Sequence, residues 1–277
     1  MGRFTGKTAV ITGAGRKGGI GAGVAARLAA EGARVVLHEL DKVGSEIAPA
    51  HGVGTSEDLE KIAGAIRATG AEVSTFCGDM LEEADVAALM DHAASTFGSV
   101  DIVINNAGIG YLFGPLVEMD VEKWDAVLGV NLRGVFLGLK HGARHMIAQG
   151  SGGRFVNIAS QAAKSGFAFA TAYTASKHGV LGLTRAAALE LAGHGITVNA
   201  VCPNHITTGL GAWQNDFMSK ARGQSVEEYL AEMRARIPLG RTGQVEDIAK
   251  ACAFLCSEEA AYITAEAMNV SGGEEYH

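Results

Sequence analysis

Aromatic residues are scarce in this chain of 277 residues, at 6%, although 48% of it is hydrophobic. A core built from such a sequence rests on Ala, Val, Leu and Ile. Proline is also scarce, with four residues, which excludes a proline-rich linker or stalk. The four cysteines, Cys77, Cys202, Cys252 and Cys256, form no CxxC pair and no zinc-type spacing, so no disulfide or zinc framework is expected. Cys252 and Cys256 are expected to share a helix face as buried free thiols. No apolar run reaches the roughly 18 residues of a membrane-crossing helix. The start, Lys7-Thr-Ala-Val-Ile11, lacks the pattern of a signal peptide. No basic run is present either, and 23 Lys and Arg against 30 Asp and Glu leave a net charge of −7. Nucleic acid and an anionic membrane are therefore excluded as main partners. The expected setting is the cytoplasm.

What the chain does have is glycine, 38 residues of 277, or about twice the usual share of roughly 7%. With so many apolar residues and no Gly-X-Y period, disorder and collagen are excluded. The pattern alternates short β-branched runs with helical periods. The strand-like runs are Thr8–Thr12, Arg34–Glu39, Glu72–Phe76, Asp101–Asn105, Gly153–Ala159, Ile196–Val201 and Ala267–Val270. They are nearly continuously apolar, as parallel strands covered on both faces must be. One helical period runs Val86, Leu89, Met90, Ala93, Phe97 and closes at Gly98, and another runs Val180, Leu183, Ala187, Leu191. The expected fold is α/β, a doubly wound parallel sheet of about seven strands with helices on both faces. With no linker and no repeat, it is read as one domain over 1–277.

Two segments break the rhythm. Asp41–Thr55 holds Pro49 and His51 and reads as a surface excursion, ended by a capping box at Thr55-Ser-Glu-Asp58. Asn204–Pro238 follows the sixth strand and contains Trp213, Phe217 and Tyr229. Insertions at the carboxyl ends of parallel strands stand where open sheets bind ligands. The stretch 204–238 therefore reads as a substrate lid or pocket wall.

Six glycines fall within residues 13–23, between the first strand and the helix that begins at Ile20. Such a Rossmann-type turn brings backbone N–H groups and a helix N-terminus against a pyrophosphate. Glu39 ends the second strand, where a carboxylate accepts from both ribose hydroxyls and repels a 2′-phosphate, which favours NAD over NADP. Arg16, Lys17 and Lys42 could hold a phosphate instead, or form a solvated loop. Further on, Tyr173-Thr-Ala-Ser-Lys177 places Tyr and Lys at i, i+4 on one helix face. A phenol titrates near pKa ~10, and a neighbouring ammonium lowers that value toward a working general acid/base. Ser160 ends the preceding strand.

These residues in this order resemble the short-chain dehydrogenase/reductase family along essentially the whole chain. The matching pieces are Thr12-Gly13…Gly19-Ile20-Gly21, Asp79, Asn105-Asn106-Ala107-Gly108, Asn131, Ser160, Tyr173, Lys177 and Pro203…Ile206…Thr208. The resemblance implies that Tyr173 exchanges a proton with the substrate oxygen while hydride moves to or from the nicotinamide. It implies that Lys177 lowers the tyrosine pKa and binds the nicotinamide ribose, Ser160 orients the substrate, and Asn131 holds a relay water. Asp79 and Met80 would contact adenine, Asn106, Ala107 and Gly108 would line the cofactor, and Pro203, Ile206 and Thr208 would border the carboxamide. A homotetramer or dimer is implied too, through helices carrying Val135-Phe-Leu137 and Val180-Leu181.

The sequence also departs from the family pattern. Gly13 and Gly19 are separated by five residues where three are usual, Pro203-Asn204 replaces Pro-Gly, Thr264-Ala265 replaces Thr-Gly, and Ser271-Gly272-Gly273 replaces Asp-Gly-Gly. For substrate contact the candidates are Ser160, Gln161, Tyr173, Asn204 and His205, although Asn204 and His205 could equally structure their loop. His141 and His145 stand at i, i+4 without a third ligand, so they read as a surface or subunit-contact pair, and no metal is expected. The expected activity is NAD-linked interconversion of a secondary alcohol and a ketone on a polyol, sugar or related small hydroxy compound. The alternatives are an NADP-linked reductase of 3-oxoacyl or other ketones, and a dinucleotide-binding sensor without turnover.

Overall fold

The computed structural model describes residues 2–41, 54–110 and 114–277, without the side chains at 209, 210, 213 and 214. Lys42, Pro49 and His51 of the first excursion lie outside the described residues, as does the side chain of Trp213. The Thr55–Asp58 capping box is present: the Thr55 hydroxyl accepts from the Asp58 N–H at 3.1 Å.

Seven strands form one parallel sheet: β1 (Thr8–Ile11), β2 (Arg34–Glu39), β3 (Val73–Cys77), β4 (Ile102–Asn105), β5 (Gly153–Ile158), β6 (Ile196–Pro203) and β7 (Ala267–Val270). Their spatial order is β3-β2-β1-β4-β5-β6-β7. The chain winds outward from β1 to β3, returns to β4 and winds the other way, so the direction of travel reverses between β1 and β4. Open sheets bind ligands at that switch point, beyond the carboxyl ends of the strands.

The apolar continuity of the strands has its cause in the layers above and below. In β1, Ala9 and Ile11 enter one core cluster while Val10 enters the other. Val35 and Leu37 alternate with Val36 in β2, and Ile102 and Ile104 with Val103 in β4. Side chains on a strand point alternately to opposite faces, and here both faces are covered. Helices α1 (Ile20–Ala30), α2 (Ser56–Arg67) and, late in the chain, α9 (Val245–Cys256) close the first face. Helices α3 (Glu83–Phe97), α5 (Gly134–Gln149) and α6 (Thr171–Leu191) close the second. Each fully buried Val, Leu or Ile contributes about 1.5–3 kcal/mol, an upper figure because the unfolded chain already hides part of it.

Details of the helices follow from residue type. Helix α3 buries Val86, Leu89, Met90 and Ala93 and ends at Gly98 with φ 85°, the left-handed cap. Gly23 of α1 faces α9 so closely that a Cβ there would stand 2.1 Å from Val245 Cγ1. Between α4 (Val121–Leu128) and α5 the chain makes a π-helical turn, Gly129–Arg133, a form concentrated at functional sites. Two further helices, α7 (Gly209–Ala221) and α8 (Val226–Arg236), occupy the stretch after β6. Cys252 and Cys256 are buried free thiols. Of the apolar residues expected to serve a subunit contact, Val135, Leu137, Val180 and Leu181 are in the core of this chain, and Phe136 is the exposed one.

Candidate active site

The glycine turn is stapled to the end of β4. Thr12 Oγ1 accepts the N–H groups of Asn106 and Ala107, both at 3.0 Å, while Asn106 Nδ2 donates to the carbonyls of Thr12 and Gly13 at 2.8 and 2.9 Å. Gly13 has φ 64°, and a Cβ on it would stand 2.7 Å from Ala107 Cα. Only glycine fits there without moving the β4 end. The two additional residues of the turn are absorbed in a compact detour. Ala14 is buried with its N–H on the His38 carbonyl at 2.8 Å, and the Gly19 N–H returns to the Arg16 carbonyl at 3.0 Å. Gly19 then caps α1 with no side chain over the helix end. Its first N–H groups therefore stay available to an anion. Gly13, Arg16, Lys17, Gly19 and Ile20 line the cleft here.

Beside the turn stand His38 and Glu39 of β2, both buried. The Gly13 N–H donates to His38 Nδ1 at 3.5 Å, and His38 Nε2 lies 3.0 Å from the Gly78 carbonyl. That pairing puts the proton on Nε2, and burial pushes the imidazole down to about 4. Glu39 accepts from the Gly15 N–H at 2.9 Å and the Leu40 N–H at 3.0 Å. Burial raises its pKa, against the pull of those N–H groups and of Arg16. Bound to two backbone donors, a carboxylate still has lone pairs for further donors. Asp79 and Met80 follow β3 on the same side, with Asp79 Oδ1 accepting from the Leu81 N–H at 2.9 Å.

At the other end of the cleft, β5, β6 and α6 converge. Ser160 lies two residues beyond β5 and Tyr173 opens α6, and the two side chains hydrogen-bond each other. Lys177, one turn further along α6, has its Nζ 5.7 Å from the Tyr173 ring centroid and donates to the Ile158 carbonyl at 2.8 Å. Burial governs both groups: it raises the phenol, against the Ser160 hydrogen bond, and pushes the ammonium down to about 8. The lowering of Tyr173 expected from Lys177 does not appear in this structure, where desolvation of the phenol dominates.

Asn131, fully buried in the π-helical turn, accepts the Ile109 N–H and donates to the Ile109 carbonyl, both at 2.8 Å. Its second amide hydrogen reaches Ser176 Oγ at 3.2 Å, so both of its donors are committed. Gly108 is next to this pair; a Cβ on it would lie 3.2 Å from Asn131 Oδ1 and 3.8 Å from Lys177 Nζ. Pro203 at the end of β6 and Asn204, Ile206 and Thr208 beyond it complete the lining, and Thr208 also caps α7.

One cleft of about 280 Å³ therefore runs from the glycine turn to Tyr173. It brings together every residue expected at the cofactor, along with Ser160, Tyr173, Lys177 and Asn204. Asn131 stands behind the wall, acting through Ile109. Gln161 and His205, also expected to contact substrate, do not line the cleft. Gln161 Nε2 donates to Glu275 at 3.3 Å. His205 is buried against Asn215 of α7, 2.7 Å from Nε2, and edge-on to Tyr229 of α8 at 6.3 Å. Asn204, which takes the family's glycine position, keeps a negative φ and donates to Glu274. Sequence reasoning missed His38, Val130, Ile109 and Ala159, which also line the cleft. A histidine directly after the apolar run Val35-Val36-Leu37 was the available signal for the first. The His141 and His145 pair faces α3, on Glu83 at 3.1 Å and Asp91 at 3.0 Å.

Comparison with known proteins places this architecture. A family profile described as "Enoyl-(Acyl carrier protein) reductase" matches residues 13–275. Cis-4-hydroxycyclohexanecarboxylate dehydrogenase of Sinomonas cyclohexanicum is 38% identical over 270 residues, covering 98% of this chain and 97% of the relative. Among solved structures, NAD+-bound xylitol dehydrogenase superposes with a TM-score of 0.87 at 31% identity, covering 98% of this chain and 99% of that one. Actinorhodin polyketide ketoreductase with NADPH gives 0.87 at 36%, covering 99% of both. The chain belongs to the short-chain dehydrogenase/reductase family of oxidoreductases.

Proposed function

We propose that this protein is an NAD-dependent dehydrogenase that interconverts a secondary alcohol and a ketone on a polyol, sugar or related small hydroxy compound. One observation carries the reading: Ser160, Tyr173 and Lys177 meet at one end of a cleft whose other end is the glycine turn with Glu39 beside it. The residues fit a dinucleotide. Gly13 lets the turn pack against Ala107 at the β4 end, the α1 N-terminus is uncapped by any side chain, and Glu39 presents acceptors at the end of β2. Gly13, Gly19 and Ile20 would hold the pyrophosphate, Asp79 and Met80 the adenine, and Asn106, Ala107 and Gly108 the middle of the cofactor. Pro203, Ile206 and Thr208 would border the nicotinamide, which supplies or takes up the hydride when bound.

In oxidation, the Tyr173 phenolate would take the hydroxyl proton of the alcohol, and the hydride on the carbon bearing that hydroxyl would go to the oxidised nicotinamide. Ser160 Oγ holds the substrate oxygen against that phenol. The Lys177 ammonium, close behind the ring, favours the phenolate form as the proton moves. Asn131 holds Ile109 in place at that end. Asn204 is the polar group left for the rest of the substrate, with the stretch 204–238 as its lid. Oligomers of two or four subunits in the cytoplasm complete the proposal.

The test is a panel of xylitol, other sugar alcohols, cyclic alcohols, hydroxy acids and acyl thioesters, followed by nicotinamide absorbance. Turnover of a polyol or small cyclic alcohol with NAD supports the reading, and turnover of acyl thioesters alone overturns it. A second reading, an NADP-linked reductase of 3-oxoacyl or other ketones, has one observation in its favour: Arg16 and Lys17 both line the turn end of the cleft.

A further inference from the structure

Beyond β7 the chain turns through Gly272 and Gly273, at φ 66° and 95°, and two carboxylates follow, one engaged with a residue that lines the cleft and the other with a residue next to its opposite wall. Glu274 Oε2 accepts from Asn204 Nδ2, while its Oε1 lies 3.4 Å from Arg236 Nε on α8. Glu275, only 6% exposed, accepts from Gln161 Nε2 at 3.3 Å and pairs with His277 at 3.1 Å. Its own N–H and carbonyl both close on the Ser271 hydroxyl. Asn204 lines the cleft, and Gln161 adjoins Ser160, which lines it from the other side. Lys164, at the far end of the turn after Ser160, donates to the Ala267 carbonyl of β7 at 2.7 Å.

We infer that Glu274 and Glu275 are positioning residues for the substrate end of the cleft, a clasp that joins its two walls and fixes α8 to one of them. The inference rests on the proposed substrate site and sharpens its specificity. An amide that gives its NH2 group to a carboxylate turns its oxygen away from that carboxylate. Asn204 is therefore set as an acceptor, suited to a second hydroxyl on the substrate and indifferent to a mono-alcohol. A hydrogen bond to an ionised carboxylate is the stronger kind, whereas the half-exposed Arg236 pair is worth little alone. The Asn204 bond carries the orientation and the Arg236 pair follows it.

The experiment compares wild type, Glu274→Ala and Glu274→Gln in two assays. With xylitol and cyclohexanol as probes, Glu274→Ala raises the KM for xylitol about tenfold, the worth of one oriented hydrogen bond. The KM for cyclohexanol, the KM for NAD and kcat stay within about twofold. Glu274→Gln keeps an acceptor for Asn204 and restores the xylitol KM to within about threefold. Equal rises for both alcohols, or a parallel rise for NAD, overturn the inference. If wild type oxidises neither alcohol, the substrate reading has failed, and amide hydrogen exchange of the NADH-bound protein decides the clasp. Exchange in residues 204–206 and 226–236 rises about tenfold in Glu274→Ala if the clasp exists, and unchanged exchange disproves it.

Discussion

The Lys177 ammonium donates to the carbonyl of Ile158, 2.8 Å away, and so locks helix α6 onto the end of strand β5. Ser160 lies two residues beyond that carbonyl and Tyr173 one helical turn before that lysine. The single bond therefore fixes the separation of the serine and the tyrosine, which hydrogen-bond each other across the gap. Burial lowers the lysine to about 8. The positions that chemistry needs are set by this junction of one strand with one helix.

His38 makes acid stability sensitive to one residue. Its folded pKa is about 4, below the unfolded value of roughly 6.5. Between those values the unfolded chain binds more protons, so stability is complete above pH ~6.5 and falls as pH drops through ~4. The full difference is on the order of 3 kcal/mol. Denaturant melts of wild type and His38→Asn at pH 7 and pH 4.5 should show a smaller acid loss in the variant. Parallel losses would refute the assignment.

Ala265 occupies a left-handed conformation, φ 66°, where the family usually has glycine. The strain there costs an alanine about 1–2 kcal/mol. Glycine relieves it but gives up roughly 0.5–1 kcal/mol to unfolded-state entropy. Ala265→Gly is therefore expected to stabilise the protein by about 0.5 kcal/mol, seen as a higher Tm at unchanged cofactor affinity.

Gly23 and Val245 define how closely α1 and α9 approach. Gly23→Ala gains roughly 1 kcal/mol of helix propensity. It also drives a Cβ into a β-branched side chain with little rotamer freedom, and overpacking costs about 1–3 kcal/mol. A net loss of about 1 kcal/mol is expected, recovered when Val245→Ala is added. Additive effects of the two changes would contradict the contact.

Cofactor choice turns on Glu39 against Arg16. Wild type should favour NAD over NADP by at least about tenfold in kcat/KM, a difference of roughly 1.4 kcal/mol. Glu39→Gln should narrow the ratio by removing the charge that repels a 2′-phosphate. A wild-type preference for NADP would favour the ketone-reductase reading.

Much of this could be read before the structure. Apolar continuity located the strands within one or two residues, because burial of the central strands on both faces keeps most of their positions apolar. The glycine turn and the Tyr173–Lys177 pair were legible because their geometry is local. The partners of Gln161, Asn204 and His205 were not: Glu275 and Glu274 lie 114 and 70 residues away from the first two, and Asn215 sits on another helix. No period or spacing encodes such contacts. The π-helical turn around Asn131 escaped for a different reason, since Gly129-Val-Asn-Leu-Arg133 carries no local signal that separates a π turn from an α turn. The raised pKa of Tyr173 was missed because sequence shows the neighbouring lysine but not the desolvation.

The central claim is that Tyr173 is the proton-exchanging group of a nicotinamide-dependent alcohol dehydrogenase, and turnover by Tyr173→Phe tests it most directly. With an alcohol that wild type oxidises, kcat should fall by about 10²–10⁴-fold, the range for loss of a general acid/base. NADH binding should stay within about twofold. Wild-type turnover by the phenylalanine variant would contradict the account.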